Sequence, residues 1–259
     1  MVTAVEHQKA GTAALHVTRV GTGRPLLYLH GIDGTRSSGE LVKLLGEHAE
    51  VIVPDHPGFG RSESPAWLES IHDLAYFYLQ YLDELGVEKV DVVSHSLGAW
   101  IALEMAVRSC ARFRTLTLIS AAGIHLKGVK RGDLFMRAPE VVLRSMVASP
   151  DLAEALVKRV AADSDTEHKN RYAIARVGWH PPMYDPQLAK WLHRVACPAQ
   201  IIWGREDAML PLEYAHEFKR LIVGARLQVL SDCGHLPHLE QPEQTASTIL
   251  SFINQAAPK

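Results

Sequence analysis

Residues 90–103, VDVVSHSLGAWIAL, contain the pattern that decides the fold. An apolar strand pattern leads into a short turn, and the turn leads directly into a helical pattern. Ser96 occupies the turn, and the small residues Ser94 and Gly98 lie two positions before and after it. This spacing is typical of a nucleophile elbow, a strained strand-to-helix turn that exposes one hydroxyl above a sheet. Small flanking residues are required because the strand and helix backbones pass close together there.

Strand-like and helix-like patterns alternate along the chain on both sides of this turn. Apolar runs typical of buried strands cover residues 25–29, 51–53, 115–120, 199–203 and 226–230. Because such alternation is typical of parallel sheets, we predict an α/β fold with a mostly parallel central sheet and helices on both faces. In such sheets, functional groups collect at the carboxyl ends of the strands.

The pattern changes between residues 124 and 185, where helical sequence continues without a buried strand. We therefore predict an inserted helical cap (lid) at residues 124–185. The core domain would consist of residues 1–123 and 186–259. An insertion after the strand at 115–120 would lie over the carboxyl edge of the sheet, above Ser96.

Composition excludes several classes of function. The chain has 259 residues, 47% hydrophobic and 22% charged, as in ordinary soluble globular proteins. A net charge of −2 gives no attraction to nucleic acid or to an anionic membrane. The sequence has no signal-peptide pattern, no spanning apolar run and only three scattered cysteines, so we expect a cytoplasmic protein with reduced thiols. The histidines lack metal-ligand spacing, and nothing in the sequence calls for a metal or an organic cofactor.

Three residues could together provide nucleophilic catalysis. A serine hydroxyl needs a neighbouring base, and that base needs a third group to fix its tautomer. Ser96, Asp207 and His235 each follow a predicted strand, in the order serine, acid, histidine. This is the order expected of α/β-hydrolases. Glu206 and Asp232 are alternative acids, and His238 is an alternative base.

On these residues the chain resembles the α/β-hydrolase fold family, in its serine-nucleophile branch. The resemblance covers essentially the whole chain outside the insertion. The segments that carry it are the elbow, His30-Gly31, DHPGFGRS at 55–62, WGRED at 203–207 and GHLPHLEQPE at 234–243.

The resemblance implies a role for each of these residues. Ser96 would be the nucleophile, His235 the general base and then acid, and Asp207 the carboxylate that orients the histidine. The backbone N–H groups of Leu97 and Ile32 would form the oxyanion hole.

The resemblance also implies that the cap shapes a substrate pocket. Candidate pocket residues are His30, Asp33, Phe135, Met136, Met146 and Trp179. His30 has an alternative role in fixing its own loop. We expect His95 to point away from Ser96 and to pack, since neighbours at an extended turn project in opposite directions.

The leading functional hypothesis is a carboxylesterase-like hydrolase acting on a small, partly apolar ester, thioester or lactone. Ser96 argues against dehalogenase or epoxide hydrolase chemistry, which would use an aspartate. One alternative is a carbon–carbon bond hydrolase of vinylogous diketones, with Arg176 binding a carboxylate. Leu236 and His95 depart from that group, which usually has Trp and Asn at these positions. A second alternative is a receptor-like ligand-binding protein with little turnover. We expect only a small-molecule partner, and a monomer or homodimer.

Overall fold

The computed structural model describes residues 2–256, which form a single eight-stranded sheet flanked by helices. The strands are, in chain order, β1 (Val2–Ala10), β2 (Ala13–Val20), β3 (Pro25–Leu29), β4 (Glu50–Pro54), β5 (Val90–His95), β6 (Phe113–Ile119), β7 (Ala199–Gly204) and β8 (Arg226–Leu230). Across the sheet the order is β1-β2-β4-β3-β5-β6-β7-β8. Strands β3 to β8 are parallel and β2 is antiparallel to both neighbours, which confirms the predicted fold class.

The helices cover both faces of this sheet. They are, in chain order, α1 (Gly39–Gly46), α2 (Ile71–Glu84), α3 (Leu97–Arg108), α4 (Pro139–Ser145), α5 (Pro150–Ala161), α6 (Ser164–Gly178), α7 (Leu188–Trp191), α8 (Leu212–Leu221), α9 (Pro237–Glu240) and α10 (Pro242–Ala256). Helices α1 and α10 pack on one face, while α2, α3 and α8 pack on the other. All six residues of β5 are buried, as expected of a central strand covered on both sides.

Strand β1 was not predicted from the sequence. It pairs only with β2, at the edge of the sheet, and Val5, Glu6 and His7 are exposed. Edge strands often carry charged and polar residues, which hide the apolar pattern by which buried strands are identified.

The segment between β6 and β7 is helical, and its described residues contain no regular strand. Its ends meet at an isolated bridge between Gly123 and Tyr184. The Asp185 N–H also donates to the Gly123 carbonyl at 3.0 Å. Both ends of residues 124–185 therefore lie together, although the division into core and cap stays a prediction. None of the helices in residues 2–256 is both long and apolar enough to cross a bilayer.

Candidate active site

Ser96 lies between β5 and α3 in a backbone conformation that L-residues rarely adopt, with φ 49° and ψ −108°. Such a conformation costs about 1–3 kcal/mol and persists only where the surroundings enforce it. Here the Ser96 N–H donates to the Ile119 carbonyl at 2.9 Å. The Ser96 carbonyl accepts from the N–H groups of Trp100 and Ala122 at 3.1 and 3.2 Å. Hydrogen bonds to the end of β6, to Ala122 just after it and to α3 therefore hold the strained turn.

The two small residues that flank Ser96 fit their sites for different reasons. A Cβ at Gly98 would lie 2.2 Å from the Leu29 carbonyl oxygen and 2.5 Å from that of His30, so α3 rests directly on the end of β3. Ser94 replaces the usual glycine, and its hydroxyl donates to the Thr117 carbonyl at 2.9 Å. The additional hydroxyl is thus satisfied inside the sheet.

The side chains of Ser96, His235 and Asp207 form a continuous hydrogen-bonded chain. Ser96 Oγ is 3.0 Å from Nε2 of His235, and Nδ1 of His235 is 2.8 Å from Oδ2 of Asp207. Because a carboxylate can only accept, Nδ1 carries the ring hydrogen and Nε2 accepts from the serine hydroxyl. The structure therefore brings these three residues together in the arrangement that a nucleophile, a base and an orienting acid require.

Asp207 is buried, yet its carboxylate is fully satisfied. Its Oδ1 accepts from the backbone N–H groups of Met209 and Leu210 at 2.9 and 2.8 Å, and its Oδ2 accepts from His235. Three donors compensate for the loss of water around the charge.

The alternative acids and the alternative base lie elsewhere. Glu206 accepts from the Cys233 N–H at 2.9 Å, Asp232 is exposed, and His238 Nε2 is 2.9 Å from Ser37 Oγ. Within the described residues, none of the three has a hydrogen bond to Ser96 or to the His235 ring. The geometry therefore favours Asp207 and His235 among the candidates.

The backbone N–H groups of Leu97 and Ile32 have no hydrogen-bond acceptor anywhere in residues 2–256. Leu97 is the first residue of α3, where a helical N–H has no acceptor within the helix. Ile32 follows β3 and lines the same cavity as Ser96, and Leu97 is next to Ser96 in the chain.

Ser96 and His235 border a cavity of about 40 Å³. This is about a tenth of the volume of the larger pocket described below, so the space beside Ser96 is the narrower of the two. Residues 131–134 of the insertion close one side of it, and the Gly132 N–H donates to the Met209 carbonyl at 2.8 Å. The remaining lining residues are Ile32, Ala122, Arg131, Leu134, Met183 and Leu210.

A larger pocket of about 450 Å³ lies on the other side of residues 131–134. Three predicted pocket residues, Phe135, Met136 and Trp179, line it. The rings of Phe135 and Trp179 meet edge to face at 4.9 Å. The two spaces share Arg131, Gly132, Leu134 and Met183, so they adjoin one another.

The other three predicted pocket residues do not line either space. His30 accepts from the His56 N–H at 3.0 Å and lies 2.7 Å from the Gly31 carbonyl, so it fixes its own loop. Burial lowers the pKa of His30 and keeps it neutral at neutral pH. The Asp33 carboxylate accepts from the Ser37 hydroxyl. Met146 contacts the site through its backbone carbonyl, which accepts from the His235 N–H.

Seven residues that line the inner cavity were not predicted from the sequence: Ala122, Arg131, Gly132, Leu134, Met183, Met209 and Leu210. Met209 and Leu210 lie two and three residues after Asp207, so their closeness to the predicted acid was an available signal. Arg131 belongs to a basic stretch with Lys127 and Lys130, and such a stretch by itself indicates only charged side chains exposed to solvent. Its position depends on how the insertion packs onto the core, which local sequence does not specify.

Three potential metal ligands lie on another part of the surface. The ligand atoms of His72, Glu104 and Asp185 are all within 4.8 Å of one another. Glu104 already accepts from Arg108 at 2.5 Å and from Trp100 Nε1 at 3.2 Å. Because Arg108 balances its charge, we interpret the group as an ion-pair cluster.

Comparison with known sequences identifies the family. A sequence model of the alpha/beta hydrolase family matches residues 26–248, which include Ser96, Asp207 and His235. The chain belongs to the alpha/beta hydrolase family. This confirms the resemblance seen in the sequence and supports a hydrolase.

Two curated relatives of this alpha/beta hydrolase cover nearly all of it. A 2-hydroxy-6-oxo-6-(2'-aminophenyl)hexa-2,4-dienoic acid hydrolase of Metapseudomonas resinovorans is 26% identical, over 96% of this chain and 90% of the relative. A 2-hydroxymuconate semialdehyde hydrolase of Pseudomonas sp. (strain CF600) is 27% identical, over 91% and 89%. Among solved structures, a serine hydrolase involved in carbazole degradation superposes with a TM-score of 0.82 at 21% identity, over 97% and 99%. That structural likeness concerns the fold.

Proposed function

We propose that this alpha/beta hydrolase is a serine hydrolase that cleaves a carboxylic ester of a small, partly apolar molecule through an acyl-enzyme on Ser96. A thioester or lactone would use the same groups. The observation that carries the proposal is the hydrogen-bonded chain from Ser96 Oγ through His235 to Asp207, which ends beside a cavity. Turnover, rather than ligand binding alone, is expected because all three positions are filled and aligned.

In the first half-reaction, Ser96 Oγ attacks the substrate carbonyl carbon while His235 Nε2 takes the hydroxyl proton. The tetrahedral intermediate collapses, the bond to the leaving oxygen breaks, and the imidazolium gives its proton to that oxygen. Water then attacks the acyl-enzyme with His235 again as base, which releases the acid and restores Ser96. Asp207 stabilises the imidazolium in both halves.

The negative charge on the carbonyl oxygen would be stabilised by the N–H groups of Leu97 and Ile32. Support comes from their lack of acceptors within the described chain and from the position of Ile32 beside Ser96. Each such donor is typically worth about 3 kcal/mol in the transition state.

The sizes of the two spaces suggest how a substrate divides between them. A small acyl group fits the inner cavity of about 40 Å³, while a larger alcohol part requires the outer pocket of about 450 Å³. Phe135 and Trp179 would give that part an apolar wall.

A second candidate is a carbon–carbon bond hydrolase acting on a dienoate, as the names of two relatives indicate for those proteins. Arg176, first considered for the carboxylate, instead donates to the Ala66 carbonyl at 3.2 Å and does not line the cavity. Arg131 favours this candidate, since it borders both spaces and its guanidinium donates to the Pro182 carbonyl but has no ion-pair partner among residues 2–256.

An assay with two substrates separates these candidates. Wild type and Arg131→Met would be given p-nitrophenyl acetate, which is neutral, and a 2-hydroxy-6-oxo-hexa-2,4-dienoate, which is an anion with a visible chromophore. Rapid cleavage of the acetate with little effect of the substitution supports the esterase. Rapid loss of the dienoate chromophore that Arg131→Met slows at least tenfold supports the carbon–carbon hydrolase. Cleavage of neither substrate contradicts both.

A further inference from the structure

The backbone of His235 is held from two sides. Its carbonyl accepts from Nε2 of His95 at 2.9 Å, and its N–H donates to the Met146 carbonyl at 2.7 Å. His95 belongs to β5 in the core and precedes Ser96, whereas Met146 directly follows α4 in the insertion. The backbone of His235 is therefore hydrogen-bonded to the insertion as well as to the sheet.

The contact with the insertion extends over residues 146–148. A Cβ at Gly234 would lie 2.8 Å from the Met146 carbonyl oxygen and 3.0 Å from the Ala148 nitrogen. These are backbone atoms that cannot rotate away, so the two backbones touch with no room for a side chain. The loop that carries His235 thus packs directly against the insertion.

One carboxylate bridges the same two backbones. Glu240 Oε1 accepts from the Gly234 N–H at 2.8 Å, and Glu240 Oε2 accepts from the Ala148 N–H at 2.8 Å. Partial burial raises the pKa of Glu240, while N–H donors from Ala148, Gly234 and Leu236 oppose that change. Within the described chain Glu240 has no ion-pair partner. The shortest hydrogen bonds of its carboxylate are those from the backbone N–H groups of Ala148 and Gly234.

We propose that Glu240 is a positioning residue for His235. By joining residues 146–148 to the loop at 233–236, it makes the position of the insertion part of what orients the base. The proposal rests on the proposed function, in which His235 activates Ser96. It adds that the insertion contributes to catalysis through its backbone, in addition to covering the site.

The test uses Glu240→Ala and Glu240→Gln, with Glu243→Gln as a matched control on the exposed start of α10. A fluorophosphonate that modifies activated serines reports Ser96 reactivity without knowledge of the substrate. Hydrogen exchange of peptides over 146–150 and 233–238 reports whether the two segments remain joined. Thermal unfolding identifies any variant that fails to fold.

We expect Glu240→Ala to label about 10- to 100-fold more slowly through a lower maximal rate, because a misplacement of about 1 Å can cost that much. The concentration of probe that gives half the maximal rate should change little. Exchange should accelerate in both segments together. Glu240→Gln retains one oxygen acceptor and should fall between Glu240→Ala and wild type, while Glu243→Gln should match wild type.

Labelling of Glu240→Ala at the wild-type rate would overturn the proposal, as would faster exchange confined to one segment. A wild-type protein that does not react with the probe would contradict the proposed function instead. In that case the hydrogen-exchange data alone test whether Glu240 joins the two segments. Faster exchange of Glu240→Ala in both segments supports the proposal, and faster exchange in only one segment overturns it.

Discussion

Asp207 is the residue that sets the tautomer of His235, because its Oδ2 accepts the Nδ1 hydrogen at 2.8 Å. The neighbouring backbone fixes Asp207 in turn, through two N–H groups on its other oxygen. An amide in this position could preserve those two bonds while presenting its NH₂ to the histidine ring. The ring would then adopt the wrong tautomer for accepting the Ser96 proton.

We therefore expect Asp207→Asn to lower kcat by about 10³- to 10⁴-fold while the protein stays folded. The matched control is Asp232→Asn, which changes the exposed alternative acid and should leave kcat unchanged. Steady-state kinetics on an activated ester measure both. A larger loss in Asp232→Asn than in Asp207→Asn would show that the acid has been misassigned.

At this scale, the sequence predicted the residues of the hydrogen-bonded chain because each follows a strand and the strands are parallel. It did not predict the roles of His95 or Glu240. His95 was expected only to pack, yet its Nε2 donates to the His235 carbonyl. The contacts of His95 with His235 and of Glu240 with Ala148 join residues 140 and 92 positions apart, so they have no local signature.

The start of α3 is the element on which the geometry of the elbow depends. A side chain at Gly98 would meet the Leu29 and His30 carbonyl oxygens at 2.5 Å or less, and backbone oxygens cannot move aside. Gly39, the first residue of α1, has open space around the position of its missing Cβ. Substituting alanine at each of these two helix-start glycines therefore compares a position without room for a Cβ with one that has room.

Gly98→Ala should lower the free energy of unfolding by about 3 kcal/mol or more, as severe overpacking does. Gly39→Ala should leave it unchanged or raise it by up to about 1 kcal/mol, since alanine reduces the freedom of the unfolded chain. Urea denaturation of both variants checks this. Equal stability of the two variants would contradict the close packing of α3 on β3.

Residues 131–134 form the wall that limits the inner cavity, and this leads to an expected substrate preference. Acetyl esters should be cleaved faster than octanoyl esters, because the cavity beside Ser96 is about 40 Å³, compared with about 450 Å³ for the outer pocket. Leu134→Ala removes part of the wall and should shift the preference toward longer chains. Leu152→Ala, in α5 and outside both spaces, is the control.

Rates for a series of p-nitrophenyl esters measure this preference. A wild-type enzyme that favours long chains, with no change in Leu134→Ala, would contradict the role given to the wall. The sequence predicted an insertion with apolar residues, but it did not distinguish the face toward Ser96 from the outer pocket. That distinction depends on the packing of residues 131–134 against Met209.

At the scale of the whole molecule, four histidines within residues 2–256 are almost completely buried, and burial is the main cause that lowers the pKa of each: His30, His56, His95 and His238. The pKa of His95 falls to about 4, with the nearby His235 as the second cause. In the unfolded chain these groups titrate near 6.5. As pH falls below 6.5, the unfolded state therefore binds more protons than the folded state, and stability decreases.

For His95 alone, the free energy of unfolding should fall by about 2 kcal/mol between pH 7.5 and pH 5. His95→Gln should reduce that pH dependence, while His48→Gln, at an exposed position, should not. Urea denaturation at the two pH values provides the comparison. Stability that does not change with pH in this range would contradict the neutral buried histidines.

The role of the Ser96 hydroxyl as nucleophile is tested by the rate of p-nitrophenyl acetate hydrolysis by wild type and Ser96→Ala at equal concentration. We expect wild type to cleave the ester and Ser96→Ala to be slower by about 10³-fold or more, since removal of the nucleophile leaves only residual catalysis. Equal rates for the two proteins would contradict Ser96 as the nucleophile.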